Sequence, residues 1–236
     1  MKEVKESTIR DFYNNVPEIW AKNDYWHQYS HRVIENYLHK QQITRERVVL
    51  NAGSAGNSYG IDCDMYHVDI AEKKLVGIKN AYVASIEKLP FSDQLFDDVI
   101  CVGSVINYCD AAAAISEFAR VLKPSGRLIL EFENSAGFEY RGKAVYSKSA
   151  DIVTVKFQGH DHTQWLFSKK YILSLMQTFN FKVTDEFGFH ILSALALNLS
   201  QSESSSVRYT KVDPVLRRIP YFANHANNVI LSCEKL

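Results

Sequence analysis

The feature that most constrains this sequence is an apolar run that leads directly into a loop of small residues. Run and loop, VVLNAGSAGNSYG, span residues 48–60, and the next apolar run ends at Asp69. Small side chains let a backbone approach a ligand closely, and an acidic residue at the end of the second strand can accept both hydroxyls of a ribose. The pattern predicts a nucleoside-binding α/β domain. A nicotinamide dinucleotide site, or a structural turn followed by a surface carboxylate, also fits it.

Short apolar runs alternate with helical patterns through the middle of the chain, as in successive βαβ units. The run DVICV at residues 98–102 is almost wholly apolar, which is typical of a parallel strand covered on both faces. Asp110 and Ser168 are suited to cap the helices that follow them. Other strand-like runs lie at residues 48–50, 65–70, 81–84, 127–132, 181–189 and 228–236. We therefore expect one α/β core over residues 47–236.

Three segments stand apart from this repeating pattern. Residues 1–46 look helical and are rich in aromatic residues, which predicts a helical N-terminal cap. Residues 140–157 alternate in polarity, which predicts an added hairpin. Residues 191–227 form a long insertion before the last strand-like run, and their polar stretch SQSESSS at 200–206 is typical of a mobile loop. We expect the cap and the long insertion to form a lid.

Composition and charge exclude several classes of protein. The 236 residues contain 27 Lys and Arg against 27 Asp and Glu, and 46% are hydrophobic, so the bulk of the chain is not disordered. Balanced charge disfavours a nucleic-acid partner, which needs a basic surplus. One basic cluster, RYTKVDPVLRRIP at residues 208–220, fits either a solvated helix face or a grip on an acidic substrate.

The cysteines and the N-terminus indicate a cellular compartment. Cys63, Cys101, Cys109 and Cys233 lack CxxC spacing, which predicts reduced thiols rather than disulfides or a zinc site. No metal is expected. The N-terminus is polar, and no apolar run approaches the length of a membrane span. We expect a cytoplasmic protein without membrane contact, and the oligomeric state stays open.

Three segments downstream of the loop identify a family. They are EKLPF at residues 87–91, FDDV at 96–99 and VLKPSGRLIL at 121–130. In this order and spacing they resemble the class I S-adenosylmethionine-dependent methyltransferases of the small-molecule type. The resemblance implies a Rossmann-like class I methyltransferase fold, with a seven-stranded, mostly parallel sheet and an antiparallel last strand. A dinucleotide dehydrogenase is not expected to carry the LPF and LKPSG segments together.

The resemblance also implies where S-adenosyl-L-methionine binds. The loop after the first strand lies under the methionine part, and Asp69 binds the ribose hydroxyls. The cap closes over the cofactor, with Tyr13 and Trp20 as the candidate residues. The implied cofactor-binding residues are Tyr13, Asn51, Gly53, Ala55, Gly56, Asp69, Ser85, Ile86, Val102, Gly103 and Ser104.

The sequence departs from the family pattern around this loop. Asn51 stands where the family has Asp or Glu, Ala55 and Asn57 replace the last two glycines of G-x-G-x-G, and Ser85 replaces an acid beside the adenine. Few residues separate Gly56 from the second strand, so the first crossover helix must be short. Weaker cofactor binding is expected. The alternative is a non-catalytic methyltransferase-like partner subunit with an eroded cofactor loop.

The resemblance implies methyl transfer, by in-line displacement, to an oxygen or nitrogen of a small-molecule or peptide-like acceptor. A hydroxyl acceptor needs a general base, most often His. Asn107 occupies a position where relatives often have His; it could orient the acceptor or simply begin a helix. His160 and His162 could supply the base or be solvated loop residues. His190 could face the pocket or cap its strand.

Overall fold

A parallel sheet with a reversed last strand organises the chain. The computed structural model describes residues 3–236, and its strands are β1 Val48–Ala52, β2 Asp64–Asp69, β3 Ala81–Val83, β4 Phe96–Cys101, β5 Leu122–Glu133, β6 Ala150–Phe157, β7 His160–Phe167, β8 Phe181–Phe189 and β9 Asn228–Lys235. Seven of them form one sheet in the order β3-β2-β1-β4-β5-β9-β8. The pairs from β3 to β5 are parallel, and β9 is antiparallel to β5 and β8. The predicted sheet is confirmed.

Helices flank this sheet and also make up most of the N-terminal cap and of the long insertion. The longer ones are α1 Glu6–Asn15, α2 Tyr25–Lys40, α3 Ala111–Val121, α4 Lys169–Thr178 and α5 Leu192–Ser200, and the short ones are α6 Glu203–Ser206, α7 Asp213–Leu216 and α8 Pro220–Asn224. Short 3-10 turns lie at Glu72–Leu75, Val105–Tyr108, Phe138–Tyr140 and Val207–Val212. Both predicted caps are present: the Asp110 carboxylate accepts bonds from two N–H groups of α3, and the Ser168 hydroxyl accepts one from α4.

One face of the sheet is covered by α3 and α4. Leu50 of β1 and Val99 of β4 pack in the same buried cluster as Phe118 of α3 and Met176 of α4. All four side chains are at most 1% exposed. This cluster contains the apolar face of α3, and it fixes the strands whose carboxyl ends carry the candidate site.

The opposite face of the sheet depends on α2 of the N-terminal cap. Ile34 and Leu38 of α2 are buried in one cluster with Val49 of β1. Among the described residues 53–63, which join β1 to β2, no helix forms, although the sequence predicts a short one there. Turns occupy this whole connection between β1 and β2. The helix that covers this face of the sheet is therefore α2. The cap is therefore part of the core packing.

The added hairpin lies further along the chain than predicted. The expectation places it at residues 140–157, whereas β6 and β7 pair antiparallel from Ala150 to Phe167. The reversal occurs at Gln158 and Gly159, both of which have positive φ. His160 and His162 therefore belong to β7 and not to a loop.

The long insertion at residues 191–227 is mostly helical. The stretch predicted to be a mobile loop, residues 200–206, contains the end of α5 and the short helix α6. The Ser202 side chain caps α6 by accepting a bond from the Ser205 N–H, and the Ser200 and Ser206 hydroxyls lie 3.0 Å apart in a hydrogen bond. Local serine hydrogen bonds thus give this polar stretch a defined conformation.

Two expectations from composition can be compared with the structure. Cys63, Cys101, Cys109 and Cys233 are free thiols. Within residues 3–236, every helix is too short or too polar to cross a membrane.

A buried carboxylate joins three elements at the amino-terminal edge of the sheet. Asp98 of β4 is fully buried and forms ion pairs with Arg47, just before β1, and with Arg127 of β5, whose Nε donates to Asp98 Oδ1 at 2.8 Å. Removing one partner of a buried pair leaves the remaining charges uncompensated. This network therefore fixes the relative position of β1, β4 and β5.

We predict that Asp98→Ala lowers the free energy of unfolding by about 3 kcal/mol, because two arginines lose their buried partner. The matched control is Asp62→Ala, which breaks an exposed pair with Arg45 and should cost less than about 1 kcal/mol. Urea denaturation of both variants measures the two values. Equal losses would contradict the structural role given to Asp98.

Candidate functional site

A cavity lies at the carboxyl ends of β1, β2 and β4. This main cavity has a volume of about 660 Å³ and is covered by the N-terminal cap. Such a volume suits a cofactor or small ligand. Nine of the residues predicted to bind cofactor line it: Tyr13, Gly53, Ala55, Gly56, Asp69, Ser85, Ile86, Val102 and Gly103. Trp20, the other lid candidate, lines it as well.

Two glycines allow the loop after β1 to form the floor of the main cavity. Gly53 has a φ of +74°, and a Cβ added there would lie 2.3 Å from Cγ1 of Val105. Gly56 has a φ of +76°, and its added Cβ would lie 2.6 Å from the carbonyl oxygen of Lys74. Any side chain at either position would clash with a neighbouring segment. Ala55, where the family pattern has glycine, also has a positive φ of 43°.

Asp69 connects the loop to the end of β2. Its Oδ2 accepts a hydrogen bond from the Ala55 N–H at 2.8 Å, and its Oδ1 accepts one from the Ala71 N–H at 2.8 Å. Burial raises the pKa of this carboxyl group, and the backbone N–H groups act against that increase. Each oxygen keeps a lone pair for a ligand, so Asp69 can hold the loop and still accept bonds from two hydroxyls.

Two of the predicted cofactor residues lie outside the lining of the main cavity. Asn51 is buried beneath the loop, where its Nδ2 donates to the carbonyl oxygen of Asn57 at 2.7 Å. An amide at this position holds the loop through a backbone acceptor, which a carboxylate could not do. Ser104 has its N–H bonded to Glu131 Oε2 at 2.5 Å and lines a second, smaller cavity.

This second cavity, which we call the acidic chamber, continues from the main cavity and has a volume of about 110 Å³. Tyr13, Trp20, Gly103 and Tyr108 line both spaces. Its carboxylates are Glu131, Glu133, Glu139 and Glu203. These acids are not among the site residues predicted from the sequence. The signal is present in RLILEFEN, where two glutamates occur at alternate positions at the end of an otherwise apolar strand.

Burial governs the protonation of these acids. Desolvation raises the pKa of Glu131 to about 7, against hydrogen bonds from Asn228 and Ser104 that favour the charged form. Desolvation also raises the pKa of Glu139 to about 7, and the charge of Glu133 adds to the effect. The pKa of Glu133 itself is raised by burial. Groups of this kind can change their protonation near neutral pH.

The three catalytic candidates from the sequence are not among the residues that line the main cavity or the acidic chamber. Asn107 is fully buried, its Nδ2 donates to the Trp165 carbonyl at 2.9 Å and its Oδ1 accepts from the Glu133 N–H at 3.0 Å. This amide bridges β5 and β7, so the structure gives it a structural position. His160 is exposed, on the hairpin. His162 is buried with its ring centroid 4.0 Å from that of Phe12.

His190 and the basic cluster also have structural surroundings. The His190 ring stacks on Trp26 at 3.7 Å, and its nitrogens bond the hydroxyls of Ser30 and Ser193. In the basic cluster, the Arg217 guanidinium lies 3.8 Å from the Phe187 ring centre. Asp213 is buried and accepts bonds from two N–H groups at the start of α5. These contacts link the insertion to the sheet and to α2.

Comparison with known proteins agrees with this geometry. The family described as a methyltransferase domain matches residues 45–130, which include the loop, Asp69 and the strands below the main cavity. By this match, a segment of somewhat over a third of the chain is a methyltransferase domain, as the class I resemblance implies. The methyltransferase domain holds both LPF and LKPSG segments of the resemblance, and the prediction of the family is confirmed.

Curated relatives match only part of this methyltransferase chain. The uncharacterized protein MJ1252 of Methanocaldococcus jannaschii is 28% identical over 134 residues, which are 53% of this chain and 52% of that protein. The ubiquinone/menaquinone biosynthesis C-methyltransferase UbiE of Geotalea daltonii is 37% identical over 79 residues, which are 31% of this chain and 34% of that protein. The chain thus spans about half the length of the first relative and a third of the second.

A solved structure shares the fold over the whole chain. The 1,6-didemethyltoxoflavin-N1-methyltransferase of Burkholderia thailandensis has a TM-score of 0.56 at 12% identity, covering 100% of this chain and 91% of that one. It was crystallised with 1,6-didemethyltoxoflavin and S-adenosylhomocysteine bound. At this level of identity the likeness extends to the fold of the methyltransferase domain.

We predict that Gly53→Ala lowers the free energy of unfolding by about 3 kcal/mol, because it adds a clash with Val105 to a strained φ. The matched control is Gly77→Ala, at a φ of +78° with nothing within 4 Å, which should cost about 1 kcal/mol. Urea denaturation gives both values. Partial recovery in the double variant Gly53→Ala/Val105→Ala would identify the clash as the cause, and no recovery would contradict it.

We also predict a pH-dependent effect of Glu131→Gln on stability. In the folded protein Glu131 has a pKa of about 7, whereas a glutamate in the unfolded chain has a pKa of about 4.3. The protonated carboxyl group therefore adds to the free energy of unfolding at low pH, and this contribution is lost as the pH rises through about 7. Relative to the wild type, the variant should therefore gain stability between about pH 5 and about pH 8. Urea denaturation across this range measures the difference, and a pH-independent difference would contradict it.

Proposed function

We propose that the main cavity binds S-adenosylmethionine and that the domain transfers its methyl group to a small molecule in the acidic chamber. The observation that carries this proposal is the joint lining of the main cavity by the glycine loop, Asp69 and the Ser85–Ile86 pair. When bound, this cofactor supplies a methyl group already activated on a sulfonium. The protein then has to align the two reactants and exclude water.

The residues around the main cavity fit the parts of such a cofactor. The space above Gly53 and Gly56 is open because neither has a Cβ, so the loop backbone can approach the methionine part. Asp69 presents two carboxylate oxygens to a ribose. Tyr13 of α1 lies at the boundary with the acidic chamber and, with Trp20, covers the site.

A small-molecule acceptor is supported by the size and enclosure of the acidic chamber. Walls from the cap, β5, the hairpin and the insertion leave about 110 Å³, which admits one functional group and not a polymer. The chamber is polar, in keeping with methylation at oxygen or nitrogen. Relatives include a protein named as a carbon methyltransferase of quinone biosynthesis, and a carbon acceptor is the second candidate.

The competing function is a partner subunit that binds no cofactor. The replacement of two family glycines by Ala55 and Asn57 suggests this alternative. Gly53 and Gly56 argue against it, because their positive φ values leave the cavity floor open. Calorimetry with S-adenosylmethionine and S-adenosylhomocysteine separates the two possibilities. Binding of neither molecule by the wild type would exclude the enzyme.

We predict that Asp69→Asn weakens S-adenosylhomocysteine binding at least about tenfold. The amide keeps one accepting oxygen in place of two, and its NH₂ group would face a ribose hydroxyl or the Ala55 N–H with a donor where the carboxylate has an acceptor. Calorimetry measures the affinity, and thermal unfolding checks that the variant is folded. Glu72→Gln, an exposed acid three residues along the chain, is the matched control and should bind as the wild type does. Unchanged affinity in the Asp69 variant would refute the ribose assignment.

A further inference from the structure

The acidic chamber brings together carboxyl groups from several elements. Its charged lining residues are Glu131 and Glu133 of β5, Glu139 of the 138–140 turn and Glu203 of α6, against His27 of α2 and Lys156 of β6. His27 is already engaged, since its Nδ1 lies 2.7 Å from Asp24 Oδ2. Lys156 is an exposed hairpin residue, and Lys143 acts on Glu139 by charge from the rim. The acids therefore outnumber the cations available to them.

Carboxylate oxygens in the chamber keep capacity to accept hydrogen bonds. Tyr140 and Gln164 both donate to Oε2 of Glu133 at 2.8 Å, so neither reaches Oε1. Asn227 Nδ2 donates to Oε2 of Glu139 at 3.1 Å. A ligand with N–H groups would bond to the acceptor positions that these donors leave over.

Aromatic rings complete the walls. Trp26, Tyr108, Tyr140 and Phe157 line the chamber together with the acids. Aromatic faces attract cations, and most strongly where water is excluded. Carboxylates and aromatic rings together form a site for a positively charged donor.

Given the proposed methyl transfer, we propose that the methyl acceptor is a primary or secondary amine whose ammonium group enters the acidic chamber. The rest of the molecule lies in a wide surface groove that shares Trp26, Glu139, Tyr140 and Glu203 with the chamber. This groove opens between α2, the hairpin and the insertion, so the amine reaches the chamber through an opening that shares no lining residue with the main cavity.

The same carboxylates can deprotonate the amine. A protonated nitrogen has no free lone pair, so its proton must first move to a carboxylate oxygen of the chamber. The freed lone pair forms the new N–C bond as the C–S bond breaks, with the electrons of that bond remaining on sulfur. Burial raises the pKa of Glu131 and Glu139 to about 7, which suits acids that take up and release this proton near neutral pH.

Calorimetry tests the substrate class on protein saturated with S-adenosylhomocysteine. The probes are phenethylamine and spermidine, with 2-phenylethanol as the neutral counterpart of the first. At least one amine should bind at least about tenfold more tightly than the alcohol. Glu133→Gln should weaken the binding of that amine at least about tenfold without changing the affinity for S-adenosylhomocysteine. Glu139→Gln repeats the test if the first variant does not fold. Glu234→Gln, at the far end of β9, is the matched control and should change neither affinity.

The outcomes are distinguishable. If S-adenosylhomocysteine does not bind the wild type, the proposed function and this inference both fail. If it binds but neither amine binds more tightly than the alcohol, only the inference fails. Equal weakening of amine and alcohol by Glu133→Gln would also overturn it, since a charge-specific site must discriminate between them. With S-adenosylmethionine, mass spectrometry of an amine that binds should show a methylated product.

Discussion

The packing of α2 against the sheet is the contact on which the rest of this structure depends. Ile34 and Leu38 cover a face of β1 that the turns between β1 and β2 leave without a helix. The same helix begins at the acidic chamber, where Trp26 and His27 form part of the wall. Its stacking and hydrogen bonds with His190 also fix the insertion. One helix thus completes the hydrophobic core and forms part of the wall of the acidic chamber.

Two kinds of constraint meet at the boundary between the cavities. On the cofactor side, the limit is steric: the loop can lie beside Val105 and Lys74 only where Cβ atoms are missing. At the acidic chamber, the limit is electrostatic, because several glutamates are buried together and burial raises their pKa. Gly103 and Tyr108 belong to both sides, so a change at either residue affects both spaces.

The sequence predicts those parts of the fold that follow from local rules. A glycine loop after an apolar strand and an acid at the end of the next strand are recognisable because each residue type is required by its own backbone position. Asn107, His160 and His162 illustrate the opposite case. The environment of Asn107 is set by the backbones of β5 and β7, and that of the histidines by the exact place of the hairpin turn. Neither is visible from spacing. Glu131 and Glu133 are hidden within an apolar strand, and only their alternation marks one face.

Because the chamber shares residues with both the main cavity and the surface groove, which share none with each other, the proposed function gives the two reactants separate entrances. The helix α2 is held in the core and cannot swing away as a lid without exposing buried Ile34 and Leu38. In the proposed reaction, α2 is therefore a fixed wall, and the two reactants meet at a boundary that the hydrophobic core itself holds in place.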